Sequence, residues 1–265
     1  MKKVITLFTT LALLLSLLAI GANASEQQTS TSVEIPTAYV TVAVKGTLVA
    51  TQVAVILEDK DGDGSITVND ALYAVHEKSY DGGADAGYGY YTGDYGLSMS
   101  KLWGDESGSF GYYLNNTSCM SLADPVKDGD HVTAFVYASA DWSDVYTYFD
   151  SPSATCEPDG QITLTLMAAG YDENWNPITY PVEGATLTFN GTKIGLVTDA
   201  EGKVTISPEG TGTHVFSAVH DQLTIVPPVC TVTVNKPESG CQSVAAVSLV
   251  ALLPLAYLCI KRREK

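Results

Sequence analysis

Between positions 59 and 70 the chain reads Asp59-Lys60-Asp61-Gly62-Asp63-Gly64-Ser65-Ile66-Thr67-Val68-Asn69-Asp70, and few stretches leave a backbone less choice. Carboxylates this crowded repel one another unless a cation sits among them. Loop positions 1, 3, 5 and 12 carry side-chain oxygens, position 7 offers a carbonyl and position 9 a hydroxyl. That set lets a chain curl once around a hard divalent cation. The candidate ligands are therefore Asp59, Asp61, Asp63, the carbonyl of Ser65, Thr67 (directly or through a water) and Asp70, and the expected cofactor is Ca²⁺. Gly64 falls where the loop turns sharply and a Cβ is unwelcome. Ile66 is expected to point into a core.

The spacing resembles the calcium loop of an EF-hand or a dockerin, with Asp70 in place of the long Glu of the former. Residues 51–58, before the loop, form a β-branched apolar run that reads as a strand. Residues 68–78, after it, read as a helix with Val68, Leu72 and Val75 on one face. The site is thus expected to be strand–loop–helix, with a structural rather than a sensing role.

Both ends of the chain are apolar. Met1-Lys2-Lys3 followed by apolar residues 4–20 and by Ala22-Asn23-Ala24 is a leader with its cut expected after Ala24, giving a signal peptide over 1–24. Residues 242–260 form a second apolar run, about 28 Å long as a helix, ahead of the basic tail 261–265. The expectation is a single C-terminal transmembrane helix with its tail on the cytoplasmic side. Gly240 and Cys241 precede it. Gly-Cys, apolar span and basic tail resemble the tripartite sorting tails named after Synergistes, and that resemblance implies processing near Gly240 and lipid attachment at Cys241. Pro237-Glu238-Ser239-Gly240 is similar to a sortase motif that departs from L-P-x-T-G at its first and fourth positions. The sorting region is placed at 237–265, and the protein is expected at the cell surface, held by its C-terminus, with its ectodomain extracellular or periplasmic.

The chain has 30 acidic and 14 basic residues and a net charge of −16. Lys2, Lys3, Lys261, Arg262, Arg263 and Lys265 lie at the ends, so the span between is more acidic still. Such a field disfavours nucleic acid and anionic lipid as partners and suits divalent cations. Of the five cysteines, Cys156 and Cys230 are a disulfide candidate in an oxidising exterior. Cys119 is expected to be a small buried apolar residue. No H-E-x-x-H, G-x-S-x-G, P-loop or helix-opening G-x-G-x-x-G occurs, and no enzyme is expected.

A first domain over 34–150 is expected from strands at 38–45, 49–58, 97–103, 109–114 and 131–138 around the helix at 68–78, an α+β arrangement such as a β-grasp. Asp61-x-Asp63-Gly64-x-Ile66-Thr67-x-x-Asp70-Ala71-Leu72, then Gly111-Tyr112-Tyr113-Leu114-Asn115-Asn116, then Val126-Lys127-Asp128-Gly129-Asp130-His131-Val132, resemble a bacterial family of domains of unknown function that is similar to the C-terminal domain of transcobalamin. The resemblance implies a β-grasp-like fold and raises a corrinoid as one ligand. Residues 79–98 read as a loop dense in tyrosine and glycine. Tyrosine offers flat area and a hydroxyl at low entropic cost, so Tyr88, Tyr90, Tyr91, Tyr95 and the nearby Trp103 are candidate ligand contacts. A glycan, a corrinoid or a protein would each suit. Residues 141–150 are expected to pack back on this domain ahead of a linker at Ser151-Pro152-Ser153.

A second domain over 155–236 shows period-two alternation at 161–167, 185–189, 203–206, 214–218 and 229–234, separated by turns, which argues an all-β sandwich. Its segments 182–191 and 195–206 resemble bacterial Ig-like modules of the invasin and carboxypeptidase-regulatory kinds, which implies a spacer or adhesion role. The expected whole is a calcium-stabilised, surface-anchored binding protein. Its alternatives are a structural or adhesion module of the envelope and a corrinoid-capture protein.

Overall fold

Strands β1 (Thr37–Val44) and β2 (Thr47–Ile56) form an antiparallel hairpin, and the next apolar segment becomes helix α1 (Val68–Ser79). The stripe Val68, Ala71, Leu72 and Val75 of α1 is fully buried, as its helical period requires. The computed structural model describes residues 35–94 and 96–236. A short helix α2 (Gly83–Gly87) leads into a two-stranded hairpin of β3 (Tyr88–Gly93) and β4 (Gly96–Leu102). Strands β5 (Phe110–Leu114), β6 (Thr117–Ser118) and β7 (His131–Val136) then complete a mixed sheet in the order β2-β1-β7-β5-β6. Its central pair, β1 with β7, is parallel, and all other neighbours are antiparallel. Val40, Val42, Val132, Ala134 and Val136 pack with the α1 stripe in one core.

Two further sheets lie face to face. The strands are β8 (Val145–Phe149), β9 (Ser153–Cys156), β10 (Ile162–Tyr171), β11 (Pro177–Pro181), β12 (Thr186–Phe189), β13 (Thr192–Val197), β14 (Lys203–Ile206), β15 (Gly212–Val219), β16 (Ile225–Val226) and β17 (Cys230–Val234). One sheet runs β11-β10-β8-β16 with β14 also on β10, the other β13-β12-β15-β17-β9. Phe149, Leu164, Leu166 and Ile206 from the first meet Leu187, Phe216, Cys230 and Val232 from the second. The second half is therefore an all-β sandwich, as its alternation indicates.

Three expectations are corrected. The segment expected to close the first domain holds β8, and β8 pairs with β10 and β16 of the sandwich. Its residues face two cores at once, Phe149 inward to the sandwich and Tyr146 toward the mixed sheet. The expected linker is structured, since Ser153 already begins β9, which runs parallel to β17. The stretch 79–98 is not a loop, because α2 and the β3–β4 hairpin occupy most of it. From Pro36 onward the described chain is one compact unit. A third core of Ala43, Phe135, Tyr146 and Val226 joins the mixed sheet to the sandwich, with Tyr113 stacked on Tyr146 at 3.6 Å.

Gln52 locks this junction. It sits at φ 42, where the β1–β2 register shifts. Such a bulge re-aims a side chain. Its Nε2 donates to the Pro152 carbonyl at 2.8 Å, and its Oε1 accepts from the Thr231 hydroxyl at 2.9 Å.

No helix among the described residues is long and apolar enough to cross a membrane. The expected leader with Ala24, the span at 242–260, and Gly240 and Cys241 lie outside the described residues.

Candidate functional site

The loop after β2 is organised by its own carboxylates. Asp59 accepts from the N–H groups of Gly62 at 2.7 Å and Gly64 at 2.9 Å. Asp61 accepts from Asp63 N–H at 3.3 Å and Asp63 from Ser65 N–H at 2.8 Å. Gly64 adopts φ 90, a conformation that a side chain would strain. The backbone N–H of Gly64 is the main cause holding the Asp59 carboxyl below its usual range. The result is three exposed carboxylates, Asp59, Asp61 and Asp63, whose oxygens lie within 4.8 Å of one another. Three hard, anionic oxygens in an exposed surface loop fit a hard divalent cation such as Ca²⁺ better than a soft metal.

Asp70 is placed differently. It is 1% exposed, beneath the loop rather than in the exposed trio. One of its oxygens accepts from Lys60 N–H at 2.7 Å, the other from both Thr67 N–H and Thr67 Oγ1 at 2.8 Å. It thus caps α1 and ties the loop's start to its end. Thr67 is 3% exposed and is spent on the same contact. Ser65 enters through its N–H to Asp63.

One residue of the site escaped sequence reasoning. Asn69, 1% exposed, donates from Nδ2 to Asp61 at 2.9 Å and accepts from the Tyr88 hydroxyl at 2.8 Å. The acidic loop and the tyrosine hairpin are therefore joined through one buried amide. Its signal was only its place beside Asp70 at the start of a helix.

The tyrosine candidates separate. Tyr90 and Tyr91 on β3 are 39% and 54% exposed and available for contact. Tyr88 is buried and turned toward Asn69 and the His76 ring, 5.0 Å away and stacked. Trp103 packs on His76 and Tyr80 rather than facing solvent fully. Tyr95 lies outside the described residues.

His76 anchors this aromatic cluster. Its Nδ1 lies 2.7 Å from the Leu72 carbonyl and its Nε2 accepts from Trp103 N–H at 3.1 Å, so the ring is neutral with its proton on Nδ1. Burial pushes its pKa down to about 4. The unfolded chain, with an ordinary imidazole, binds this proton more readily, so the contribution of His76 is full above the usual histidine pKa and fades as pH falls toward 4. Urea denaturation should show this group lowering stability by about 2 kcal/mol between pH ~7.5 and pH ~5. A His76→Asn variant should have a flatter profile over that range, and an equal slope would contradict the buried neutral ring.

Cys156 and Cys230 do not form the expected disulfide. Both are free, and the parallel β9–β17 register sets Cys156 opposite Val234, the far end of β17 from Cys230. Four strand residues at ~3.3 Å each put them roughly 13 Å apart, against the ~7 Å limit for a bridge. Burial pushes the thiols of Cys119 and Cys230 up to about 12, so neither is a thiolate at neutral pH.

No protein-family model matches this chain, and no curated protein matches it. Among solved structures, the D0-D1 domain of intimin is similar at 14% identity over 75% of this chain and 97% of that one, with a TM-score of 0.26. Fibronectin(III)-like modules of CbhA from Clostridium thermocellum align at 13% identity over 55% and 76%, with a TM-score of 0.24. The N-terminal four Ig domains of Dscam1 isoform 9.44 align at 14% identity over 56% of this chain and 37% of that one, with a TM-score of 0.23, so the chain spans little more than a third of that structure. Strand pairing and core contacts define the fold of this chain.

Proposed function

We propose that this chain is an exported, C-terminally anchored binding protein of the cell surface, and that Ca²⁺ held by Asp59, Asp61 and Asp63 braces the segment presenting Tyr90 and Tyr91. The observation that carries this reading is the convergence of the three carboxylates together with the Asp61–Asn69–Tyr88 connection to the hairpin. The metal's contribution is to neutralise the three charges and stiffen the strand-to-helix junction. The mixed sheet would be a β-grasp: a parallel central pair, with the helix following the first hairpin and packed on one face, supports that reading. The sandwich would set the binding module away from the membrane. A second reading, an envelope adhesion module without a small ligand, is favoured by the locked junction at Gln52, which suits a semi-rigid stalk.

Calorimetric titration of the chain with Ca²⁺ should give saturable binding near the 10⁻⁴–10⁻³ M range usual for extracellular modules, roughly. The melting temperature should rise with it. An Asp59→Ala/Asp63→Ala variant should show neither effect. Absence of binding up to several millimolar would reduce the loop to a self-capped turn and remove calcium from the proposal.

A further inference from the structure

The sandwich carries an aromatic display that neither the acidic loop nor the tyrosine hairpin uses. The connection between β10 and β11, residues 172–176, is tied to one carboxylate. Asp172 accepts from Asn174 N–H and Asn176 N–H, both at 2.8 Å, and from Asn176 Nδ2 at 2.9 Å. Backbone bonds from Asp172 N–H to the Asn176 carbonyl and from Trp175 N–H to the Asp172 carbonyl close the turn. These bonds hold Trp175 at φ 64, a region that bulky residues avoid. Its indole is 82% exposed, and the ring of Tyr171, 50% exposed, lies 6.2 Å away. The redundant bonds of the turn thus hold Trp175 out from the sandwich, where its ring contributes nothing to a core.

The Tyr171 ring lines a groove of about 300 Å³ between the β10–β11 hairpin and the β5–β6 end of the mixed sheet. That volume is at the lower end of small-molecule sites, about 300–1,000 Å³. The β10–β11 register puts Tyr171 and Thr179 on the face of Ala169, which packs toward Tyr113 across the groove. Ala169 and Gly170 keep that side low. Thr117 and Asn116 stand opposite, and no charged side chain lines the groove. Asn116 accepts the Tyr146 hydroxyl at 3.0 Å through its oxygen, which leaves its N–H groups available. In a chain of net charge −16, this is a neutral surface of hydroxyls and an amide edged by aromatic rings.

We propose that this groove, walled by Tyr171 and extended by the Trp175 ring next to it, binds a neutral glycan. A pyranose offers an apolar C–H face for the indole and phenol rings and a girdle of hydroxyls for the Thr and Asn groups. Other occupants match less well. Anionic polysaccharide and acidic lipid meet a repulsive field. A basic peptide finds carboxylates only on the adjoining turn, where Asp172 is already engaged by three hydrogen bonds, and an apolar segment would leave the polar groups unpaired. The site shares no residue with the acidic loop or with Tyr90 and Tyr91, so it stands or falls separately from the proposed function.

The full-length chain is titrated with cellohexaose, xylohexaose, mannohexaose and chitohexaose, with tryptophan fluorescence and calorimetry as readouts. Saturable binding of at least one is expected, weakened about tenfold or more by Trp175→Ala, the equivalent of ~1.4 kcal/mol. Trp175→Gly removes the indole while suiting the turn, so it should lose binding equally with no loss of melting temperature. The Asp59→Ala/Asp63→Ala variant should bind as the parent does. The proposal is overturned if none of the four sugars binds, if heparin or acidic vesicles bind instead, or if binding survives both Trp175 variants.

Discussion

Replacing Phe135 by alanine is expected to lower the stability of the chain by about 3–5 kcal/mol, the usual cost of emptying a buried phenylalanine site. Phe135 is 1% exposed on β7 and faces away from the helix, into the core that joins the mixed sheet to the sandwich. Its ring meets Tyr137 edge-on at 4.9 Å and lies near Tyr113 and Tyr146. It also covers Gly111 so closely that a Cβ there would collide with the ring. Little can collapse into the space left behind, because one wall is backbone and the others are stacked tyrosines. The loss should appear in urea denaturation as a lower midpoint. It should also appear as two transitions where the parent shows one, since the halves would then be held mainly by Gln52 and the Tyr146–Asn116 bond. A Tyr91→Ala control, at an exposed ring, should change stability by less than about 0.5 kcal/mol. A Phe135→Ala loss under about 1 kcal/mol would contradict the packing described.

Asp70→Ala is expected to cost about 3 kcal/mol even with a chelator present. The carboxylate accepts three hydrogen bonds from Lys60 and Thr67 in a buried position. Charge-assisted bonds of this kind contribute about 1.5–3 kcal/mol each, and the capping role adds to the sum, although the terms are not additive. Asp70→Asn keeps one acceptor oxygen and should fall between. The chelator arm separates two roles. If Asp70 braced the loop only through a metal, its removal would be neutral in the chelator, whereas the hydrogen bonds predict a full loss there. The Asp59→Ala/Asp63→Ala variant gives the opposite pattern, since both side chains are exposed.

Much of the architecture could be read from local pattern. Val68, Leu72 and Val75 mark α1 because a helix repeats its face every 3.6 residues, and the alternation in 161–167 marks β10 because one of its faces meets a core. The run Val145-Tyr146-Thr147-Tyr148-Phe149 carried no such mark. Both faces of β8 are covered, so apolar and aromatic residues fall on both faces, with buried Thr147 between them, and no alternation says which sheet claims them. The β3 segment looked like a loop for a related reason. Its glycines weaken strand propensity, and only pairing with β4 makes it a strand. Cys156 and Cys230 could not be judged at all before the parallel register of β9 and β17 set them at opposite ends.

The candidate site divides along the same line. The alternate spacing of Asp59, Asp61 and Asp63 could by itself be read as three carboxylates on one side of a tight loop around Gly64, and their oxygens do lie within 4.8 Å of one another. Sequence also determined the helix that follows and the sandwich strands β10, β12, β14, β15 and β17, through periodicities that depend only on nearest neighbours along the chain. Tertiary structure alone decided that Asp70 turns under the loop, that Asn69 links Asp61 to Tyr88, and that Tyr171, next to Trp175, lines a neutral groove made by two distant hairpins. The Tyr88 hydroxyl reaches Asn69 across 19 positions, and the groove joins hairpins distant in the chain. Asp70 meets Thr67 and Lys60 within ten positions, yet its burial under the loop comes from the packing around it. A groove wall or a distant hydrogen-bond partner belongs to the assembled surface, and no local spacing encodes it.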